Sequence, residues 1–207
     1  CGSAVGLSAC LLSLAGHWRM TPCVSEAAWA LPGCRFAGGV DALSAVFLVP
    51  VFVLPALGAW YGLGYWRAAS HPANARRLGA AYGVLAGAMA LVVIARDGVL
   101  FLIAWEIMAL AAYFAATVED DRKEVRRAGW IYLVATHIGT AFLIALFILL
   151  GRAGGSQDFN AYAVPAGSAG GLFLLALIGF GTKAGLFPLH IWLPEAHPAA
   201  PSPVPAV

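Results

Sequence analysis

Charge is what this sequence has least of. Asp, Glu, Lys and Arg make up 11% of its 207 residues, whereas hydrophobic residues make up 61%. Soluble domains carry about a quarter charged residues. Strict alternation of apolar and polar residues is also absent, as are the repeated segments of about ten residues that a transmembrane barrel would show. These absences exclude an ordinary soluble domain and argue against a membrane barrel.

Familiar site motifs are missing too. No paired-cysteine motif in a suitable context, HExxH sequence or carboxylate cluster indicates a metal site. There is no phosphate loop, nucleophile elbow or dinucleotide fingerprint. The net charge is only +2 and the basic residues form no run with interleaved aromatics, so nucleic acid is not an expected partner. We therefore expect no cofactor and no redox centre on this chain.

Long apolar runs are abundant. A membrane-spanning helix needs about 20 mostly apolar residues, and six segments qualify: 1–16, 41–66, 79–95, 98–118, 128–151 and 169–193. The sequence therefore predicts an all-α, multi-pass bundle in the lipid bilayer of the cell's inner membrane, with a single transmembrane domain over 1–207. Because the chain opens without Met inside an apolar run and stops as another run begins, we expect a fragment of a longer protein.

The basic residues predict which loops face the cytoplasm. If the segments alternate in direction, loops 67–78 and 119–127 lie on one side and the other loops on the opposite side. The first side carries seven Lys and Arg residues and the second carries four. Because Lys and Arg favour the cytoplasm, 67–78 and 119–127 are predicted to lie inside. Cys23 and Cys34 then lie in an outer loop, where a disulfide is permitted, although their spacing does not decide it.

Two ionisable residues, Glu106 and Lys183, lie inside predicted helices. Glu106 lies about 13 Å from the start of its helix, near the bilayer centre, at a rise of about 1.5 Å per residue. Inserting such a group costs about 2.5–3.5 kcal/mol, and an ionisable residue at this depth is a functional candidate that faces the bundle interior. The structural alternative is a protonated glutamic acid that hydrogen-bonds another helix.

Lys183 lies beside a predicted interruption of its helix. Pro188 has no N–H to donate to the carbonyl of Ala184, so backbone acceptors near Lys183 lose their helical partners. Such carbonyls are tolerated at membrane depth where protein buries them or they line a wet cavity, and many transporters build an ion site on a broken helix. Lysine suits a proton relay because burial and a neighbouring carboxylate act on its proton in opposite directions. The alternative is a structural salt bridge with Glu106.

Two histidines are further candidates for proton transfer. His137 lies near the middle of segment 128–151, and His190 follows Pro188 in the interrupted region. Either could pass a proton, because histidine titrates near neutral pH. The alternative for each is a packed histidine whose hydrogen bonds are only structural.

Three stretches resemble one family. "FLIAWEIMALAAYF", residues 101–114, resembles the W-E-(L/I)-M helix of the antiporter-like proton-translocating subunits found in complex I, in Mrp-type multisubunit cation/proton antiporters and in membrane-bound hydrogenases. "GFGTKAGLFPLHIWLPEAHPAAPS", residues 179–202, resembles that family's broken helix, and "VDALSAVFL", residues 40–48, its helix entry after an outer loop. The ending E-A-H-P-x-A-P-S is most similar to hydrogenase-4 component B and formate hydrogenlyase subunit 3.

The resemblance implies that Glu106 is the family's membrane glutamate, Lys183 its broken-helix lysine and His190 the histidine of its P-L-H motif. It implies a larger inverted-repeat fold and a proton-translocating subunit of a hydrogenase-type or complex I-like (NADH:quinone oxidoreductase-like) complex. Other membrane subunits and peripheral electron-transfer subunits would be its partners, and the electrons would pass through their metal clusters. The alternatives are a subunit of a multisubunit sodium or potassium/proton antiporter and an inert helical scaffold.

Overall fold

The computed structural model describes residues 23–29, 35–65, 72–201 and 204. A two-stranded antiparallel sheet, β1 (Cys23–Ala28) and β2 (Arg35–Val40), precedes the helices. The helices are α1 (Ala42–Tyr65), α2 (Pro72–Ile94), α3 (Gly98–Ala116), α4 (Lys123–Gly154), α5 (Ala169–Ala184) and α6 (Leu193–Ala199), with a short 3-10 helix, Phe159–Ala161, between α4 and α5. The predicted segment 1–16 and Cys34 lie outside the described residues.

Four of the described helices are long and apolar enough to cross a membrane: Ala42–Gly62, Asn74–Ile94, Gly98–Ala116 and Lys123–Gly154. α5 is a shorter apolar helix. The most extensive helix pairings are α2 with α3 and α4 with α5. The described part of the chain is thus a helical membrane bundle, as its composition predicts.

Several observed elements differ from the apolar segments read in the sequence: α2, for example, begins at Pro72 and not at 79, and α5 ends at Ala184 and not at 193. α4 begins at Lys123, ahead of the apolar run 128–151. Its first turn is charged, so a search for apolar residues does not find it. Glu124 lies in that turn, where a negative side chain is favourable beside the helix N-terminus. The predicted outer loop 17–40 contains the β1–β2 hairpin, which the sequence did not predict.

A polar cluster holds the bundle together at the end next to the hairpin. Arg96, in the α2–α3 turn, donates from Nη2 to Asp41 Oδ2 at 2.9 Å and to Ser44 Oγ at 3.0 Å. The backbone N–H of Ser44 donates to Asp41 Oδ1 at 2.7 Å. This hydrogen bond, together with the Arg96 guanidinium, holds the pKa of the Asp41 carboxyl below its ordinary value. Asp97 caps α3 by accepting from two N–H groups of its first turn. The start of α1 and the α2–α3 turn are thereby fixed to each other.

Small residues set the distance between α4 and α5. A Cβ added at Gly139 of α4 would lie 3.1 Å from the Cβ of Thr182, and one at Gly179 of α5 would overlap Leu143. In a bilayer, where lipid is as apolar as the helices, such close packing is a main source of helix association. Because Lys183 follows Gly179 by about one helical turn, this contact places the lysine against α4.

Candidate functional site

The interruption of α5 begins at Gly185. This glycine has a φ of +71°, a left-handed conformation that a residue without a Cβ adopts most easily. Its N–H donates to the carbonyl of Thr182, and the next N–H along the chain donates to the carbonyl of Gly181. This is the Schellman arrangement that commonly ends helices. The helix therefore ends before Pro188, the residue from which the sequence predicted the break, and Pro188 lies in the turn that follows.

Trp192 ties that turn to two helices. Its indole Nε1 donates to the carbonyl oxygen of Thr182 at 2.7 Å, so a side chain supplies a partner for a carbonyl at the helix end. The indole also packs edge-on against the ring of Tyr132 on α4, with centroids 5.2 Å apart and an interplanar angle of 73°. Trp192 thus joins the end of α5 to α4 directly beside Lys183.

Lys183 is held by aromatic side chains. Its Nζ donates to the hydroxyl oxygen of Tyr132 at 2.9 Å, and it lies 5.3 Å from the centroid of the Tyr132 ring and 5.8 Å from that of Trp105 on α3. Both rings are within the roughly 6 Å range of cation–π attraction. In the described part of the chain Lys183 makes no ion pair, so the direct salt bridge with Glu106, considered from the sequence, is not formed.

Glu106, which follows Trp105, pairs with His137 of α4. Its Oε2 lies 3.3 Å from His137 Nε2, while His137 Nδ1 lies 2.8 Å from the carbonyl oxygen of Leu133. A carbonyl oxygen only accepts, so Nδ1 carries a proton. A neutral imidazole would then turn the lone pair of Nε2 toward a carboxylate oxygen, which repels it. The geometry is favourable only when one additional proton is present, either on Nε2 or on the carboxyl group.

His190 lies in the turn after α5, with its Cβ close to Gly185. Its ring packs against Phe187, with centroids 5.5 Å apart. Among the described residues, His190 Nδ1 and Glu106 Oε1 are buried without a hydrogen-bond partner. Because buried polar atoms normally have a hydrogen-bond partner, each of these two atoms could accept a hydrogen bond from a water molecule or another proton donor. The structure thus brings Glu106 and His137 into contact and gives Lys183 and His190 other partners.

A cavity of about 310 Å³ adjoins Lys183. Tyr132, Lys183, Trp192 and His197 contribute its polar atoms, and side chains such as Leu85 of α2 and Met108 of α3 form apolar walls. This volume holds several water molecules, each of which occupies about 30 Å³ in the liquid. The cavity therefore has room for water beside the few polar groups of its lining.

The sequence did not single out Tyr132, Trp192 or His197. His197 and Trp192 lie within the broken-helix stretch, and a histidine beside a helix interruption was a usable signal. Tyr132 carried no signal, because a tyrosine in an apolar run is most simply a packing residue. Among the residues described, no three His, Cys, Asp or Glu side chains come together where they could hold a metal ion.

The family model described as NADH:quinone oxidoreductase/Mrp antiporter, TM matches residues 95–207. This range includes Glu106, His137, Lys183 and His190. The chain therefore belongs to this family of membrane proteins, as the motifs around Glu106 and Lys183 predict. Its predicted position as a multi-pass protein of the inner membrane is confirmed with it.

Two individual proteins are similar to most of this chain. An uncharacterised protein of Mycobacterium tuberculosis is 37% identical over 203 residues, which cover 98% of this chain and 31% of that protein. Hydrogenase-4 component B of Escherichia coli is 34% identical over 166 residues, which cover 79% of this chain and 24% of that protein. The chain thus spans a third or less of these relatives' length.

A solved structure shares the fold. The Mrp complex from Dietzia sp. DQ12-45-1b contains a chain that superposes with a TM-score of 0.83 at 23% sequence identity. The match covers 98% of this chain and 22% of that one. At this identity the likeness concerns the backbone arrangement, and it agrees with the predicted multi-pass bundle with a broken helix.

Proposed function

We propose that this chain carries a proton-transfer site of a proton-translocating membrane subunit in a hydrogenase-type or complex I-like complex. The pair of Glu106 Oε2 and His137 Nε2, 3.3 Å apart, carries the proposal. As derived above, this pair is stable with one additional proton. A group that binds a proton reversibly at membrane depth is what a translocation path requires, and ionisable residues there typically mark such paths.

Lys183 supplies the next proton carrier. Its ammonium donates to the neutral hydroxyl of Tyr132 and has no carboxylate partner among the described residues. A carboxylate in direct contact would favour the charged lysine and so hold its proton more tightly. Here the proton can leave while the ring and hydroxyl contacts stay in place. Glu106 is the residue after Trp105, whose ring faces the ammonium.

The cavity beside Lys183 extends the path. His197 lies in the cavity wall on α6, and water in the cavity would connect it with the lysine. His190, in the turn that precedes α6, offers an unpaired Nδ1. We place these histidines after Lys183 in the path and the Glu106–His137 pair before it.

One relative supports the choice of a hydrogenase-type complex in this proposal. Hydrogenase-4 component B is the name of a relative that is 34% identical, and the ending E-A-H-P-x-A-P-S favours the same branch. Other membrane subunits would then flank this chain, and peripheral subunits would carry the electrons whose energy drives the protons. On this reading the chain itself moves protons and no electrons.

A cation/proton antiporter subunit is the second candidate function. The specific observation in its favour is the superposition on a chain of an Mrp complex with a TM-score of 0.83. Both candidates use the same proton path, and they differ in the source of energy. An imposed Na⁺ or K⁺ gradient would move protons in membrane vesicles without any reductant if the chain served an antiporter.

The test replaces Lys183 in the full-length protein within its assembled complex. Lys183→Met removes the titratable group, and Lys183→Arg keeps a charge that does not release its proton. We expect both complexes to assemble and both to lose most of their reductant-driven proton uptake into inverted membrane vesicles, measured with a pH-sensitive dye. Lys123→Met, at an exposed position at the start of α4, is the matched control and should translocate normally. Normal translocation by Lys183→Arg would show that the lysine is a fixed charge.

A further inference from the structure

A second cleft lies on the face of α3 that points away from the Lys183 cavity. Its volume is about 760 Å³, and α2, α3 and the segment between α3 and α4 line it. Large apolar side chains with exposed fractions from 39% to 60% form its walls: Val84, Ile107, Leu110 and Phe114. Met108 and Ala112 of the same helix line the other cavity, so the two openings are separated by α3.

The cleft is basic at one end. Arg77, near the start of α2, and Arg126, in the first turn of α4, both line it and are both exposed. Arg126 Nη1 donates to the backbone carbonyl of Asp121 at 3.1 Å and also to that of Asp120, which orients its guanidinium. The carboxylate of Asp120 also lines the cleft. Among the residues that line the cleft, two guanidinium groups and one carboxylate thus give a net charge of +1.

The apolar walls run from the basic end into the membrane. Val84 follows Arg77 on α2 at a distance of about 10 Å along the helix axis, at a rise of about 1.5 Å per residue. On α3, Phe114, Leu110 and Ile107 form a similar strip that leads away from the α3–α4 turn, also about 10 Å long. Tyr113 and Thr117 line the cleft near the basic end, at the depth where tyrosine is enriched in membrane proteins.

We propose that this cleft binds an anionic phospholipid, with the lipid phosphate between Arg77 and Arg126 and one acyl chain along Val84, Leu110 and Phe114. Arginine pairs well with phosphate because its planar guanidinium donates two parallel hydrogen bonds. Basic pockets between transmembrane helices are typical binding sites for anionic headgroups. A free phosphate ion would use the arginines but not the apolar strip, so the combination of the two favours a lipid.

The experiment measures lipid binding to the purified full-length protein. After delipidation, the protein is titrated with phosphatidylglycerol or phosphatidylcholine in detergent, and bound lipids are counted by native mass spectrometry. We expect wild-type protein to prefer phosphatidylglycerol. Arg77→Gln and Arg126→Gln should each weaken phosphatidylglycerol binding about fivefold. A basic residue near a membrane surface contributes about 1 kcal/mol to the binding of an anionic lipid, which corresponds to about a fivefold change in the dissociation constant. Binding of phosphatidylcholine should stay unchanged.

The neighbouring arginines provide matched controls. Arg76 and Arg127 are exposed on the same two helices but do not line the cleft. Arg76→Gln and Arg127→Gln should therefore change phosphatidylglycerol binding less than twofold. If these variants weaken binding as much as Arg77→Gln and Arg126→Gln do, the effect is one of general surface charge, and the proposed site is wrong.

Two further measurements separate a lipid from other occupants. Val84→Trp fills the apolar strip without changing any charge, and it should weaken phosphatidylglycerol binding as well. Unchanged binding in Val84→Trp, or full displacement of the lipid by inorganic phosphate, would mean that only the phosphate is recognised and would overturn the proposal. In the assembled complex, a photo-crosslinking residue at Phe114 should capture lipid. Capture of another subunit would make the cleft a protein interface instead.

Discussion

Replacing Glu106 with glutamine tests the proton-sharing pair directly. Glutamine keeps the length and shape of the side chain, and its amide N–H can donate to His137 Nε2 in the position where Oε2 now lies 3.3 Å away. The variant therefore satisfies the imidazole permanently, without a proton that can be transferred. Fold and assembly should survive while proton transfer fails.

Glu106→Gln should change both the stability of the complex and its rate of proton transfer. The substitution removes a partly exposed ion pair, which contributes at most about 1 kcal/mol, so stability should fall by no more than about 1 kcal/mol. A positioned acid or base typically accelerates proton transfer by a factor of about 10² to 10⁴. We therefore expect reductant-driven proton uptake to fall by at least about 100-fold.

The assay compares assembled full-length complexes in inverted membrane vesicles, with electron transfer measured in parallel. His137→Gln should lose translocation to the same extent. Because both residues hold the same proton, the double variant should lose no more than either single variant, as is typical of residues that act as a unit. Glu124→Gln, at an exposed position, is the control. Normal translocation by a correctly assembled Glu106→Gln complex would refute the role of the pair.

Three other predictions concern the packing of α4 on α5, the pH dependence of stability at Asp41 and the orientation of the chain in the membrane. Gly179→Ala, whose new Cβ meets α4, should lower stability by about 1–3 kcal/mol, whereas Gly171→Ala, at an open position of α5, should not. The pKa of the Asp41 carboxyl is lower in the folded protein than in the unfolded chain, where it is about 4. The ionised carboxylate therefore stabilises the fold at a pH above about 4, and this stabilisation is lost as the pH falls through the lower pKa of the folded protein. Asp41→Asn should therefore melt earlier than wild type near neutral pH, and the difference should shrink in acid; a pH-independent difference would contradict this. A cysteine placed at Asn160 should react with an impermeant thiol reagent on intact cells and one at Asp121 should not, in a background without the native cysteines; the reverse pattern would invert the topology.

The sequence was sufficient to find the membrane helices and the two charges inside them. A charge at membrane depth is unfavourable enough to be rare, so Glu106 and Lys183 are conspicuous in a chain with so few charges. The broken helix was also predictable, although its end was not. Pro188 was the obvious breaker, yet the helix ends at Gly185, because a glycine after the last turn permits the left-handed cap.

Contacts between helices could not be predicted from the sequence. α3 and α4 are apolar over most of their surfaces, so no polar stripe indicates how each helix is rotated about its axis. The pairing of Glu106 with His137 depends on that rotation, as does the contact between Lys183 and Tyr132, which are 51 residues apart. From the sequence, a direct salt bridge between Glu106 and Lys183 was the structural alternative, whereas the structure gives each of them a different partner.

The interruption of α5 and the ammonium of Lys183 are linked by a series of side-chain contacts. In a continuous helix the carbonyl of Thr182 would accept from the backbone, but at the Gly185 cap it also accepts from Trp192. Trp192 packs on Tyr132, and Tyr132 accepts from Lys183. The ammonium is thus held by a hydroxyl and two aromatic rings, without a carboxylate. Under the proposed function, the lysine can therefore pass its proton to the adjacent cavity without first breaking an ion pair, and the helix break is what makes that arrangement available.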